Sequence, residues 1–148
     1  MAPGRTRQMT IMQQKTCNLW IEKADYRCVL TTGALTSEGA AIMDSATAKQ
    51  AAERFADLDV DLGRLLASRG NHVHLIRQGL VSFPVKQYQW SGLNLPIIKR
   101  SGKQLQTLVG DAKTLVPLPQ CGPDDPSREE IAEALSFLPD NILLVNHT

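Results

Sequence analysis

At 148 residues the chain has the length of a single domain, one that buries roughly 70% of its unfolded surface and builds a core without staples. Its 16 basic and 15 acidic residues give a net charge of +1, which excludes the strongly basic footprint of a general nucleic-acid binder. Three cysteines, Cys17, Cys28 and Cys121, with no secretory signal pattern exclude a disulfide framework and point to a soluble protein of a reducing cytoplasm; no apolar run approaches the roughly 20 residues that cross a bilayer.

Residues 1–15 are polar and without sustained periodicity, and read as a flexible leader ahead of one domain over residues 16–148. Cys17 to Ile21 and Cys28 to Thr32 have the composition of strands. Thr47-x-x-Gln50 reads as a capping box that opens a helix, and Ala48, Ala51, Phe55, Leu58, Leu62 and Leu66 carry helical spacing on towards Arg69. Asp57, Asp59, Asp61 and Gly63 predict a bend there or a division into two shorter helices, and Gly70-Asn71 is a C-terminal stop. His72 to Ile76 is the next strand, followed by Leu80 to Val85, where Pro84 favours a strand end. Pro96 opens a helix whose Ile97, Ile98, Ser101, Leu105, Leu108 and Val109 share a face. Thr114 to Leu118 returns as a strand, Asp125-Pro126 caps a helix from Ser127 to about Leu138, and Ile142 to Val145 is the last strand. Strands separated by helices imply an α/β fold around a mainly parallel, buried sheet.

In such a sheet, ligands sit outside the carboxyl ends of the strands, where loops converge. Two loops fit that place, Gly33 to Thr47 and Pro119 to Asp125. The first is rich in Gly, Ala, Ser and Met and runs into a helix start, whose unbonded N–H groups attract anions such as phosphate. A nucleotide or sugar phosphate is the ligand these residues point to first.

The run GAAIMDSATAKQAAERF over Gly39 to Phe55, SFPVK over Ser82 to Lys86, Trp90, and LPQCG over Leu118 to Gly122 together resemble the macro domain family, in particular its small bacterial and phage-type members. The resemblance covers most of the chain, from about Cys17 to Val145. It implies a three-layer α/β/α domain with a mixed, mainly parallel sheet that binds ADP-ribose or a related nucleotide without a cofactor; some members remove ADP-ribosyl or terminal phosphate groups. The resemblance puts Asn18 toward the base, with Gly33, Gly39, Met43, Asp44, Ser45 and Ala46 around the phosphates. Thr32, Cys121 and Gly122 then stand near the distal ribose.

Departures from the family pattern carry their own expectations. Asp44, Ser45 and Ala46 stand where small members commonly have a Gly-x-Gly pair, so a carboxylate meets the phosphate position. Two unit charges about 4 Å apart repel by about 1 kcal/mol in water and by about 4 kcal/mol at an effective dielectric of about 20. The other reading of Asp44 is an outward-facing helix cap. Thr32 replaces the usual ribose-orienting asparagine, keeping a hydroxyl without the amide's paired donor and acceptor, and Asn18 replaces an aspartate. CGPDDP from Cys121 to Pro126 replaces the second glycine loop, with an ordinary helix-capping turn as its alternative. These changes favour a binding module over a hydrolase, for which Asp44 is the general-base candidate. The remaining alternative is a degenerate macro fold that has lost its nucleotide and works through protein contacts, for instance as a homodimer.

His72 and His74 alternate with Val73 and Leu75 along a strand, but sequence places no third or fourth ligand beside them, so no metal is expected. Cys121 has no sequence-local base to make it a nucleophile. Tyr88 and Trp90 either stack on a base or pack their loop on the sheet edge. Lys99, Arg100 and Lys103 are either a local basic patch or the solvated face of a helix.

Overall fold

The computed structural model describes residues 15–147. In chain order these form β1 (Lys15–Cys17), β2 (Tyr26–Thr31), α1 (Ala46–Arg54), α2 (Leu58–Arg69), β3 (His74–Arg77), β4 (Leu80–Pro84), α3 (Leu95–Val109), β5 (Thr114–Pro117), α4 (Arg128–Ala134) and β6 (Ile142–His147). The strands make one six-stranded sheet in the order β1-β6-β5-β2-β4-β3. Neighbours are parallel except β3 and β4, which only Gln78 and Gly79 join, too few residues for a crossover.

Alternation along the strands decides the layering. In β2, Cys28 and Leu30 enter a core with Val81 and Phe83 of β4, Ile98 and Leu105 of α3, and Ile131 of α4. Val29, between them, joins Ala51 of α1 and Leu58 of α2. Successive strand residues point to opposite faces, so α3 and α4 cover one face of the sheet and α1 and α2 the other. The same alternation holds in β5 and β6, where Val116 and Leu144 share the α3–α4 side while Leu115 and Val145 pack with Leu19 on the opposite one. The architecture is three-layer α/β/α around a mixed sheet. Each fully buried side chain such as Leu62, Phe83 or Leu105 contributes about 1.5–3 kcal/mol relative to exposure. Among the described residues no helix is long and apolar enough to cross a membrane.

Local chemistry moved several boundaries. The expected leader lies outside the described residues except for Lys15, which opens β1. β1 ends at Cys17 instead of running to Ile21: Asn18 Oδ1 accepts the Trp20 N–H at 2.9 Å, and the Asn18 carbonyl accepts the Ile21 and Glu22 N–H groups, both at 3.1 Å. An Asx-type turn of this kind competes with the ladder and ends the strand. The capping box at Thr47 and Gln50 does not form; Ser45 is the N-cap of α1, and Thr47 is buried inside the first turn. The predicted division of the long helix is present at Phe55 to Asp57, with Asp57, the first of the residues that marked it, in the left-handed region at φ 62°; Asp59, Asp61 and Gly63 lie within α2. Gly63 sits within α2 because the loop crosses there: a Cβ would run into the Gly39 carbonyl oxygen and lie 2.9 Å from Ala40 Cα. Pro96 opens α3 behind the N-cap Asn94, as its position predicts. Ser127, not Asp125-Pro126, caps α4 through a capping box with Glu130, and the helix ends at Ala134 rather than near Leu138.

Candidate functional site

Strand β2 is where the sheet order reverses, with β4 on one side and β5 on the other. Loops leaving the carboxyl ends of those strands diverge, and a cleft of about 260 Å³ opens between them. That is just below the roughly 300–1,000 Å³ usual for small-molecule sites. Leu30 of β2 forms its floor. Asp44 to Thr47 at the start of α1 make one wall; Val85, Lys86 and Leu93 follow β4; Pro117 to Gln120 leave β5; and His147 ends β6.

The helix start is stapled to the strand end. Ser45 Oγ donates to the Leu30 carbonyl at 2.7 Å and accepts the Ala48 N–H at 3.0 Å, while Thr47 Oγ1 accepts the Leu30 N–H at 3.1 Å. With Ser45 as the cap, the Ala46 and Thr47 N–H groups begin the helix with no acceptor among the described residues, and both residues line the cleft. These are the donors that a helix N-terminus offers to an anion. Asp44 does not turn away as a cap; it lines the cleft beside them. Lys86 stands in another wall and donates Nζ to the Gln89 carbonyl at 3.1 Å.

His147 closes the end of the cleft through a polar network. Its Nδ1 accepts the Leu19 N–H at 2.9 Å, which leaves the proton on Nε2 to donate to Gln50 Oε1 at 2.7 Å. Gln50 Oε1 also accepts Trp20 Nε1–H at 2.8 Å. Burial, and with it the charge of Arg54, lowers the imidazole pKa, against a raising contribution from the backbone at Cys17. Gln50 therefore ties α1 to the end of β6 and to the turn after β1, a task different from the capping its spacing predicted.

Of the candidates named from sequence, Asp44, Ser45 and Ala46 line this cleft, and Asn18, Thr32, Gly33, Gly39, Met43, Cys121 and Gly122 do not. Asn18 is engaged in its turn. Thr32 Oγ1 accepts the Ala34 N–H at 3.1 Å, and Gly33 donates its N–H to the Gln87 carbonyl at 3.0 Å. Gly39, at φ 85°, forms the turn pressed on α2, and Met43 packs between Ile76 and the apolar side chains of α1 and α2. Cys121 lines a second cleft of about 350 Å³ with Arg128 and Asn146; Leu118, Pro119, Gln120 and His147 line both clefts, so the two adjoin. Burial first, then the Asp125 carboxylate, raises the Cys121 thiol pKa, which disfavours the nucleophilic thiolate. The Gly122 N–H donates to Asp125 Oδ2 at 2.8 Å. Lys86 and Leu118 to Gln120 lay within the segments that carried the family resemblance. His147 and Leu93 had no local signal, since each reaches the cleft only through strand order.

Strand β3 starts at His74, so His72 precedes it; His72 Nδ1 bonds to Gln104 Nε2 and His74 Nε2 to the Gly70 carbonyl, each at 2.9 Å. Among the described residues no group of three or more His, Cys, Asp or Glu side chains converges on a point that would hold a metal. Tyr88 and Trp90 do not pack their loop on the sheet edge; they stack on each other, 4.9 Å apart and 5° from parallel, with Trp90 80% exposed. Lys99 and Lys103 are exposed on α3, and Arg100 turns in to donate to the Asn71 carbonyl.

The cleft lies above the reversal strand of a three-layer α/β/α sheet, the place where open α/β sheets form ligand crevices, and free helix N–H groups rim it. The particular fold is that of a macrodomain. The macrodomain of Mycobacterium tuberculosis DarG superposes with a TM-score of 0.72 at 14% identity, over 91% of this chain and 97% of that one. The macrodomain of Thermus aquaticus DarG does so with a TM-score of 0.68 at 12% identity, over 90% and 95%. No family model matches the sequence, and no curated protein does.

Proposed function

We propose that this chain is a module that binds ADP-ribose or a related nucleotide, with the diphosphate in the cleft at the start of α1. One observation carries the reading: in a fold that generally binds ADP-ribose, the free N–H groups of Ala46 and Thr47 share a cleft with Lys86. Positive charge and N–H donors are what a phosphate needs. The rest of the nucleotide extends past Leu118 to Gln120 into the adjoining cleft, where Cys121 lies. Asp44 opposes the phosphate and Lys86 offsets part of that repulsion, so binding is weaker than an uncharged loop would give.

A thermal-shift titration with ADP-ribose, AMP and NAD tests this reading. Ligand at about 100 times its dissociation constant stabilises the folded state by about 2.7 kcal/mol, a rise of several degrees for a domain of this size. Expected is a saturable shift with ADP-ribose that exceeds the shift with AMP. Absence of a shift with all three compounds at millimolar concentration would overturn the reading. The exposed Tyr88–Trp90 pair favours a second reading, contact with a protein partner or a second copy of this chain. Sedimentation of wild type against Trp90→Ala tests the second copy: a dimer that the substitution disperses supports self-association, and an unchanged monomer removes self-association.

A further inference from the structure

The loops that follow β4 and β5 rise on either side of β2, and one carboxylate joins them. Asp125 Oδ1 accepts the Leu93 N–H at 3.0 Å, and Oδ2 accepts the Gly122 N–H at 2.8 Å. Lys86 and Leu93 of the first loop line the cleft, as do Pro119 and Gln120 of the second. Space for the carboxylate is built into both loops: a Cβ at Gly92 would lie 3.0 Å from Oδ1, and one at Gly122 would lie 3.3 Å from Oδ2. The Gly122 and Leu93 amides hold the carboxyl below its ordinary range, with the charge of Lys86 acting in the same direction. Both hydrogen bonds are therefore charge-assisted at neutral pH. The start of α4 does not need Asp125, because Ser127 and Glu130 complete its capping box. A residue that only turned the chain into α4 would have no reason to reach Leu93, 32 positions earlier.

We propose that Asp125 is a positioning residue that sets the width of the nucleotide cleft by holding its two loop walls together across β2. The nucleotide in this statement rests on the function proposed above; the joining of the walls does not. Without Asp125 the loops would be held at their strand ends and by the packing of Leu93 and Cys121 on the core, so they would sample more separations and a ligand would bear the cost of ordering. Asp125 removes that cost in advance.

The test is Asp125→Ala in the full chain, read by amide hydrogen exchange with and without sodium formate, a carboxylate small enough to replace the missing one. Expected is a rise of about tenfold or more in exchange at both Leu93 and Gly122, reversed by formate, with α1 and α2 unchanged. ADP-ribose affinity should fall about tenfold and recover with formate, which a general folding defect would not do. If the alanine variant does not fold, Asp125→Asn, which keeps the shape and one acceptor, should loosen one amide more than the other. Unchanged protection at Leu93, or a uniform rise across the sheet that formate does not reverse, would overturn the proposal. Failure of the wild type to bind ADP-ribose would strike the ligand alone, and the exchange data then decide the role of Asp125.

Discussion

Ser45 shows how much one small side chain does at the cleft. Its hydroxyl caps α1 and also donates to the Leu30 carbonyl, so it fixes the helix start over the strand that floors the site. Ser45→Ala removes both bonds, and urea unfolding should show a loss of about 1–2 kcal/mol. Asp44, one residue earlier, lines the cleft without capping the helix, and on the proposed function it faces the ligand's phosphates. Asp44→Asn should therefore leave stability nearly unchanged while raising ADP-ribose affinity about tenfold, measured by isothermal titration. Equal affinity in the variant would mean that the phosphates do not lie beside Asp44. At this scale the sequence revealed the loop but not the division of labour. Ser45 and Thr47 are equally good caps on paper, and only the proximity of Leu30, 15 and 17 positions away, separates the cap from the buried staple.

Between elements, the contacts that shape the site are glycine-thin or polar. Gly63 lets the Gly39 to Ala41 loop lie on α2, and that loop leads directly to Met43 and Asp44. Alanine there gains about 1 kcal/mol in helix propensity, but it adds a methyl where the Gly39 carbonyl already sits. Overpacking wins, so Gly63→Ala should cost a net of about 2 kcal/mol or more in chemical denaturation. The His147–Gln50–Trp20 network predicts a pH dependence. Leu19 donates to Nδ1, so the fold holds the imidazole neutral, with its pKa lowered from the ordinary 6.5 by burial first. A lowered folded-state pKa means that its stabilising contribution is complete above about 6.5 and is lost as pH falls through the folded value. The urea midpoint of wild type should thus decline below pH 6.5, and His147→Gln should remove the part of the slope that belongs to this group. The alternation of apolar residues and the Pro96 helix start were readable from the chain alone. The end of β1 was not, because Asn18 closes a turn with its own side chain in a segment whose apolar content suits a strand.

For the whole molecule, strand order is what makes the site. Residues from the ends of β2, β4, β5 and β6 meet in one cleft although more than 100 positions separate Leu30 from His147. Sequence spacing could not reveal that His147 joins Asp44, since the parallel pairing of β5 with β6 brings it there. The layering, by contrast, was legible, because β2 is apolar on both faces and a strand of that kind needs helices on each side. On the proposed function the cleft above β2, and not the one lined by Trp20, Arg27 and Arg54, receives ADP-ribose. A two-dimensional amide NMR titration with ADP-ribose tests it most directly. Saturable shifts should gather at Asp44 to Thr47, at Lys86 and Leu93, and at Leu118 to Gln120; shifts confined to Trp20, Arg54 and Gln78, or none at all, would contradict it.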